Sequence, residues 1–138
     1  MVQSTSEATR ALIEEAFARY EQGDPEPLFE RVADEVRWTV MGTHPLAGEY
    51  ASKREFLEAT YSRIAGALEG PIRCTVTRIL VDGEWAVVEW RGQATSVTGE
   101  PFNNFYCWVM RVVDGQITEV TAYVDTALVV ELFDATGA

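Results

Sequence analysis

Apolar and polar residues change their spacing partway along this chain. Up to about residue 66 the apolar positions recur with helical spacing, apart from one alternating run. From residue 72 to 125 they alternate, with short turns between the runs. Ala8, Leu12, Ile13, Ala16, Phe17 and Tyr20 form the first helical stripe, introduced by Ser4-x-x-Glu7, a capping box. Gly23 ends it. Asp24-Pro25 then opens a second helix, with Asp as N-cap, Pro at the first helical position and Leu28, Phe29 and Val32 as its apolar face. Val36, Trp38 and Val40 alternate with Arg37, Thr39 and Met41, which predicts a strand. Residues 42–50, with Pro45 and Gly48, read as a loop. Ser52-x-x-Glu55 starts a third helix carrying Phe56, Leu57, Thr60, Tyr61 and Ile64, which ends between Gly66 and Pro71.

Four strands fill the rest. Asp82-Gly83 and Asp114-Gly115 lie between apolar runs, and Asp-Gly is a strong hairpin signal. Alternation puts Val88, Trp90, Gly92 and Ala94 on one face, and Asn104, Tyr106, Trp108 and Met110 on one face of the next strand. On the last strand Val120, Ala122 and Val124 share the inner face, which turns Thr121, Tyr123 and Asp125 away. Asp125-Thr126 caps a short final helix with Leu128, Val129, Leu132 and Phe133 as its apolar residues. Helices first and antiparallel strands afterwards make an α+β fold, and 138 residues make one domain, spanning 1–138.

Charge narrows the partners. Twenty-two acidic against eleven basic residues give a net charge of −11, which disfavours nucleic acid and anionic membrane surfaces. No run approaches a membrane span, and the first fifteen residues do not read as a signal peptide. Cys74 and Cys107 lie in neither a metal-type nor a redox-type spacing. The expectation is a reduced, cytoplasmic protein without a metal site or cofactor.

Four segments, in this order, resemble the cone-shaped fold shared by nuclear transport factor 2, ketosteroid isomerase and the SnoaL-like polyketide cyclases. They are Gln22-Gly23-Asp24, Ala33-Asp34-Glu35-Val36, residues 42–48, and residues 114–120. The resemblance covers nearly the whole chain and implies a curved mixed or antiparallel sheet around N-terminal helices, with an internal apolar cavity. It also marks where relatives keep their chemistry. The ketosteroid isomerase base falls at Thr39 or Val40, its first-helix tyrosine at Ala16 or Phe17, and its neutral aspartate at or beside Trp108. The Asp-Arg-Asp set of the limonene-epoxide hydrolase group falls near Trp90, Gly92 and Ala122, and the SnoaL-like last-strand carboxylate falls near Ala122. None of these groups is retained. A fold of this kind hosts enzymes and non-enzymes alike.

Four residues are candidates for chemistry. His44 is the only histidine and sits near the expected pocket mouth; it is either a base or ligand hydrogen-bonder, or a loop histidine bonded to backbone. Asp125 is either an acid/base group or the cap of the last helix. Asn104 and Tyr106 either orient a ligand carbonyl or satisfy backbone and sheet partners. Phe17, Trp38, Val40, Tyr61, Trp90, Trp108 and Ala122 are expected to line the substrate pocket, with the three tryptophans narrowing it. Phe105, Cys107 and Val109 leave the outer sheet face apolar, which points to a homodimer. The expected function is binding of a small, largely apolar molecule with cofactor-free proton transfer: isomerisation, cyclisation or dehydration. The alternatives are a non-catalytic binding module and a dimeric interaction domain with a filled cavity.

Overall fold

The structure, a computed structural model, describes residues 4–137. Its elements run α1 (Thr5–Glu21), α2 (Glu26–Glu30), β1 (Val32–Val40), β2 (Gly48–Tyr50), α3 (Lys53–Phe56), a π turn (Leu57–Tyr61), α4 (Ser62–Ala67), β3 (Arg73–Asp82), β4 (Trp85–Thr95), β5 (Pro101–Val113), β6 (Gln116–Val124) and α5 (Thr126–Thr136). The strands form one curved six-stranded sheet in the order β2-β1-β6-β5-β4-β3, not closed into a barrel. β1 pairs with β6 in parallel, and every other neighbouring pair is antiparallel.

Both capping boxes anchor helices as expected. The Ser4 hydroxyl accepts from the Glu7 N–H at 3.1 Å, and the Ser52 hydroxyl from the Glu55 N–H at 3.0 Å. α1 packs against β3 and β4 and is tied at both ends. Near its start, Thr9 Oγ1 donates to the Gly83 carbonyl at 2.7 Å and Ser6 Oγ accepts the Gly83 N–H at 2.8 Å. At its end, Glu21 accepts the Val76 N–H at 3.0 Å, where β3 shifts register against β4.

Local patterns missed five features. Thr9, not Ala8, belongs to the buried stripe of α1, because its hydroxyl has the Gly83 carbonyl as a partner. Pro25 occupies the N-cap of α2, and Asp24 caps from one residue earlier by accepting the Glu26 N–H at 3.2 Å. Val32 opens β1 rather than extending α2, and residues 48–50 of the expected loop pair with Trp38, Thr39 and Val40 as β2. The third helix is broken: Thr60 Oγ1 takes the Phe56 carbonyl at 2.7 Å, and the Ser62 N–H reaches five residues back to the Leu57 carbonyl. That bond spacing defines a π turn, which interrupts helices at functional sites more often than elsewhere.

Two apolar clusters result. The larger joins α1 to the inner sheet face through Phe17, Tyr20, Trp38, Trp90 and Trp108. The smaller gathers Leu46, Phe102, Val129, Leu132 and Phe133 beneath α5.

Candidate functional site

A cavity opens where the two clusters meet, with Trp38, Phe56 and Trp90 from one and Leu46 and Val129 from the other in its wall. About 80 Å³ of it is open to the centre of a water-sized molecule. A single water needs roughly 10–15 Å³ on that measure, so there is room for a small ring compound but not for a steroid-sized one. No Asp, Glu, Lys or Arg lines it among the described residues.

Strand alternation brings most of the expected residues together. Trp38, Val40, Trp90, Tyr106, Trp108 and Ala122 line the cavity from β1, β4, β5 and β6, and Tyr61 reaches it from the π turn. Trp108 is the hub. Trp38 and Trp90 both stand edge-on to it, with ring centroids at 5.1 and 5.2 Å. Trp38 also stacks on Phe56 at 3.8 Å, and Trp90 on Tyr106 at 4.0 Å. The two edge-on contacts are a favoured aromatic arrangement, and the two closer stacks pack Phe56 and Tyr106 against the tryptophans.

Phe17, Asn104 and Asp125 are not part of the wall. Phe17 is buried behind it, against Trp90 and Trp108. Asn104 is 1% exposed and spends its amide on backbone. Its Oδ1 accepts the N–H groups of Phe105 at 2.7 Å and Asp125 at 3.0 Å, and its Nδ2 donates to the Asp125 carbonyl at 3.2 Å. Asp125 occupies the N-cap of α5, exposed and without a side-chain capping bond, because β6 ends with that residue on the outward side.

His44 does line the cavity, but both ring nitrogens are engaged. Nδ1 accepts the Leu46 N–H at 3.2 Å, so Nε2 carries the proton and donates to the Met41 carbonyl at 3.1 Å. The imidazole staples its own loop, and taking up a proton at Nδ1 would break the bond to Leu46. Gly42 makes room for this: a Cβ there would sit 2.9 Å from the ring and 2.8 Å from Thr126.

Among the described residues, three polar atoms of the wall are buried with no hydrogen-bond partner: Trp38 Nε1, Trp90 Nε1 and Tyr106 Oη. Buried polar atoms are nearly always paired, so three exceptions around one cavity need an explanation. All three are donors. Burial, reinforced by Cys74, lifts the Tyr106 phenol far above its ordinary range, so it keeps its proton. Tyr20 is raised by burial and then by Tyr61, Tyr106 and Cys74, and burial with Glu21 pushes the Cys74 thiol up to about 12.

These shifts predict alkaline instability. The folded phenol ionises later than the unfolded one, so stability is intact below about pH 10 and falls above it, by up to about 1.4 kcal/mol per pH unit for each such group. Tyr106→Phe should make the decline between pH 10 and 11.5 shallower, as read by urea unfolding at fixed pH.

Tyr20 is one of the wall residues that sequence reasoning placed only on an apolar helix face, with Phe29, Phe56, Ile64 and Val129. The first-helix tyrosine expected at Ala16 or Phe17 is absent, but Tyr20, one turn further along the same face, reaches the cavity. Its helical spacing from Phe17 was the available signal. Ile72 and Thr60 also line the wall.

Comparison with known proteins follows the same lines. Residues 13–120 match the model of a SnoaL-like domain family. A dimerizing cyclase, phiC, from a fungal species is 30% identical over 102 residues, covering 71% of this chain and 45% of that protein. The chain therefore spans about half the length of the curated relative it matches. A nuclear transport factor 2-like protein from Burkholderia thailandensis superposes with a TM-score of 0.76 at 22% identity, covering 96% of this chain and 98% of the other. A putative isomerase from Rhodopseudomonas palustris gives 0.68 at 21% identity, with full coverage of both chains. TerC, crystallised with polyporic acid, gives 0.75 at 21% identity over 92% of this chain and 98% of its own.

Proposed function

The chain belongs to the SnoaL-like domain family and has the nuclear transport factor 2-like fold, and on that premise we propose that its cavity binds a small, largely apolar carbonyl compound and promotes cyclisation or isomerisation of it. The observation that carries this reading is the set of unpartnered donors, Trp38 Nε1, Trp90 Nε1 and Tyr106 Oη, on residues of a wall that holds no Asp, Glu, Lys or Arg among the described residues. A ligand oxygen would pair them. Donors fixed in a dry site also stabilise the negative charge that grows on a carbonyl oxygen as its enolate forms. With no carboxylate in the wall and His44 tied to backbone, the protein's part is to mould the substrate and polarise its carbonyl. The departing C–H proton passes to water or to a second oxygen of the substrate. Names among the relatives, a dimerizing cyclase and a putative isomerase, support this class of reaction.

The test is a ketone of single-ring size titrated against the wild-type chain and Tyr106→Phe. Tyr106→Phe should weaken the ketone about tenfold and leave the matching hydrocarbon unchanged, since only the hydroxyl is lost. Equal affinity of both proteins for the ketone would remove Tyr106 from the role. The same tied histidine and missing carboxylate favour a second reading, a binder without turnover. Saturable binding with no enolisation, followed as deuterium exchange at the ketone α-carbon, would select it.

We propose a homodimer through the outer sheet face, within one domain spanning residues 1–138. On β5 and β6, Phe105 is 55% exposed and Tyr123 46%, with Cys107 opposite Tyr123 and Val109 beyond it half-buried. Light scattering at micromolar concentration should give twice the mass of the 15.4 kDa chain, and Phe105→Glu should return it to a monomer. A monomeric wild-type chain overturns this. No helix among the described residues is long and apolar enough to cross a membrane.

A further inference from the structure

We infer that Ile72 sets the length limit of the ligand, by closing one side of the apolar cavity against a polar groove outside it. This rests on the binding reading above and adds the residue that decides which ligands fit. The groove lies between the end of α1 and the adjoining ends of β4 and β5, and about 570 Å³ of it is open to the centre of a water-sized molecule. Gln22, Arg73, Gln93 and Asn103 are among its lining residues. Cavity and groove adjoin on three elements. On α1, Tyr20 belongs to the cavity and Glu21 to the groove; on β4, Trp90 belongs to the cavity and Gln93 to the groove; on β5, Tyr106 belongs to the cavity and Asn103 to the groove. Ile72, just ahead of β3, is the described residue that lines both.

The backbone holds Ile72 at this boundary. On one side of it the Glu69 N–H donates to the Thr95 carbonyl at 2.7 Å, and on the other Arg73 pairs with Gln93. Gly92 makes room for the side chain: a Cβ there would lie 2.8 Å from Ile72 Cγ2 and 2.8 Å from Tyr106 Cε2. Ile72 therefore packs over Gly92, beside Tyr106 of the cavity wall. A β-branched side chain is stiff at its first torsion, so Ile72 acts as a fixed partition rather than a flap. The ligand that matches the closed cavity is a single-ring ketone without a long chain. With the partition removed, a chain could run from the cavity into the groove and place a terminal hydroxyl among the side chains of Gln22, Gln93 and Asn103.

Ligand-observed NMR tests this on the wild-type chain, Ile72→Ala and Val129→Ala, with acetophenone and with 8-hydroxyoctanophenone, a phenyl ketone with a hydroxyl-ended chain. Val129 lines the cavity but not the groove and is 1% exposed, so Val129→Ala enlarges the cavity without opening it. Ile72→Ala should bind the long ketone about tenfold more tightly than the wild-type chain does, read by displacement of acetophenone, and Val129→Ala should show no such gain. In Ile72→Ala the long ketone should also shift the backbone amide signals of Gln93 and Asn103, which acetophenone leaves in place. A wild-type chain that binds the long ketone as tightly as acetophenone overturns the length limit and leaves the binding reading standing, and that comparison holds even if a variant does not fold. An equal gain in Val129→Ala overturns the role of Ile72, since any added volume would then suffice. Acetophenone that does not bind the wild-type chain overturns the binding reading and the length limit with it.

Discussion

Trp38→Ala should cost the folded chain about 3–5 kcal/mol, the range for removing a large buried aromatic side chain. Trp38 is 1% exposed. It stacks on Phe56 at 3.8 Å, meets Trp108 edge-on at 5.1 Å and lies 6.4 Å from Phe29. Alanine would forfeit all three contacts at once. It would also join the vacated space to an existing cavity of about 80 Å³, so the wall cannot collapse to recover packing. A domain of this kind has only about 5–15 kcal/mol in total, so the variant should unfold at a much lower urea midpoint with an unchanged slope. Trp85→Ala is the control: Trp85 is 43% exposed on the outer face, and its loss should cost under about 1 kcal/mol. The same void predicts a gain. Trp38→Ala should bind a two-ring aromatic that the wild-type cavity excludes, and saturating ligand should recover part of the lost stability. A midpoint within error of wild type would mean that the three tryptophans are not the keystone of the wall.

Why Trp38, Trp90, Trp108, Tyr106 and Ala122 were legible as one surface is simple geometry. Side chains in a strand alternate, so each residue's face follows from its place in the run once the turns are located. The turns were local too. Asp114 and Gly115 both take positive φ, at 50° and 75°, as the tightest hairpin requires, and Gly83 does so at 61° in the other two-residue loop. What stayed hidden depends on distant partners. β1 pairs with β6 across some eighty residues of chain, and no local pattern encodes that choice. β2 is three residues that become a strand only because β1 lies alongside. The π turn arises from one threonine hydroxyl competing for a carbonyl. At the site, alternation placed Asn104 on the inner face correctly. It could not show that the α5 junction would arrive there first and take both ends of the amide. Nor could it show that His44 would satisfy itself within four residues of its own loop.

Asn104→Leu should therefore behave as a loss of scaffold, costing about 3 kcal/mol. Leucine keeps the branching and heavy-atom count but is bulkier, so no cavity forms and the cost comes from lost polar pairing, with some overpacking. The substitution strands the N–H groups of Phe105 and Asp125 and the carbonyl of Asp125, which asparagine serves together at 2.7–3.2 Å. α5 depends on that anchor, because Asp125 makes no side-chain capping bond of its own. Loosening the junction should raise hydrogen exchange at the amides of Val129, Leu132 and Phe133 well before the sheet opens, since local unfolding draws on the weakest contacts. Val129 lines the cavity, so ligand affinity should fall as well, in proportion to the fraction of chains with α5 undocked. Asn104→Asp separates the two roles. It keeps the acceptor for both N–H groups but turns an oxygen toward the Asp125 carbonyl where a donor stood, so it should recover part of the stability. A group acting directly on ligand would respond differently: Asn104→Leu would leave the urea midpoint and α5 exchange unchanged while abolishing binding. That outcome would return Asn104 to the site, because stability and affinity can move apart only if its amide serves the ligand rather than the chain.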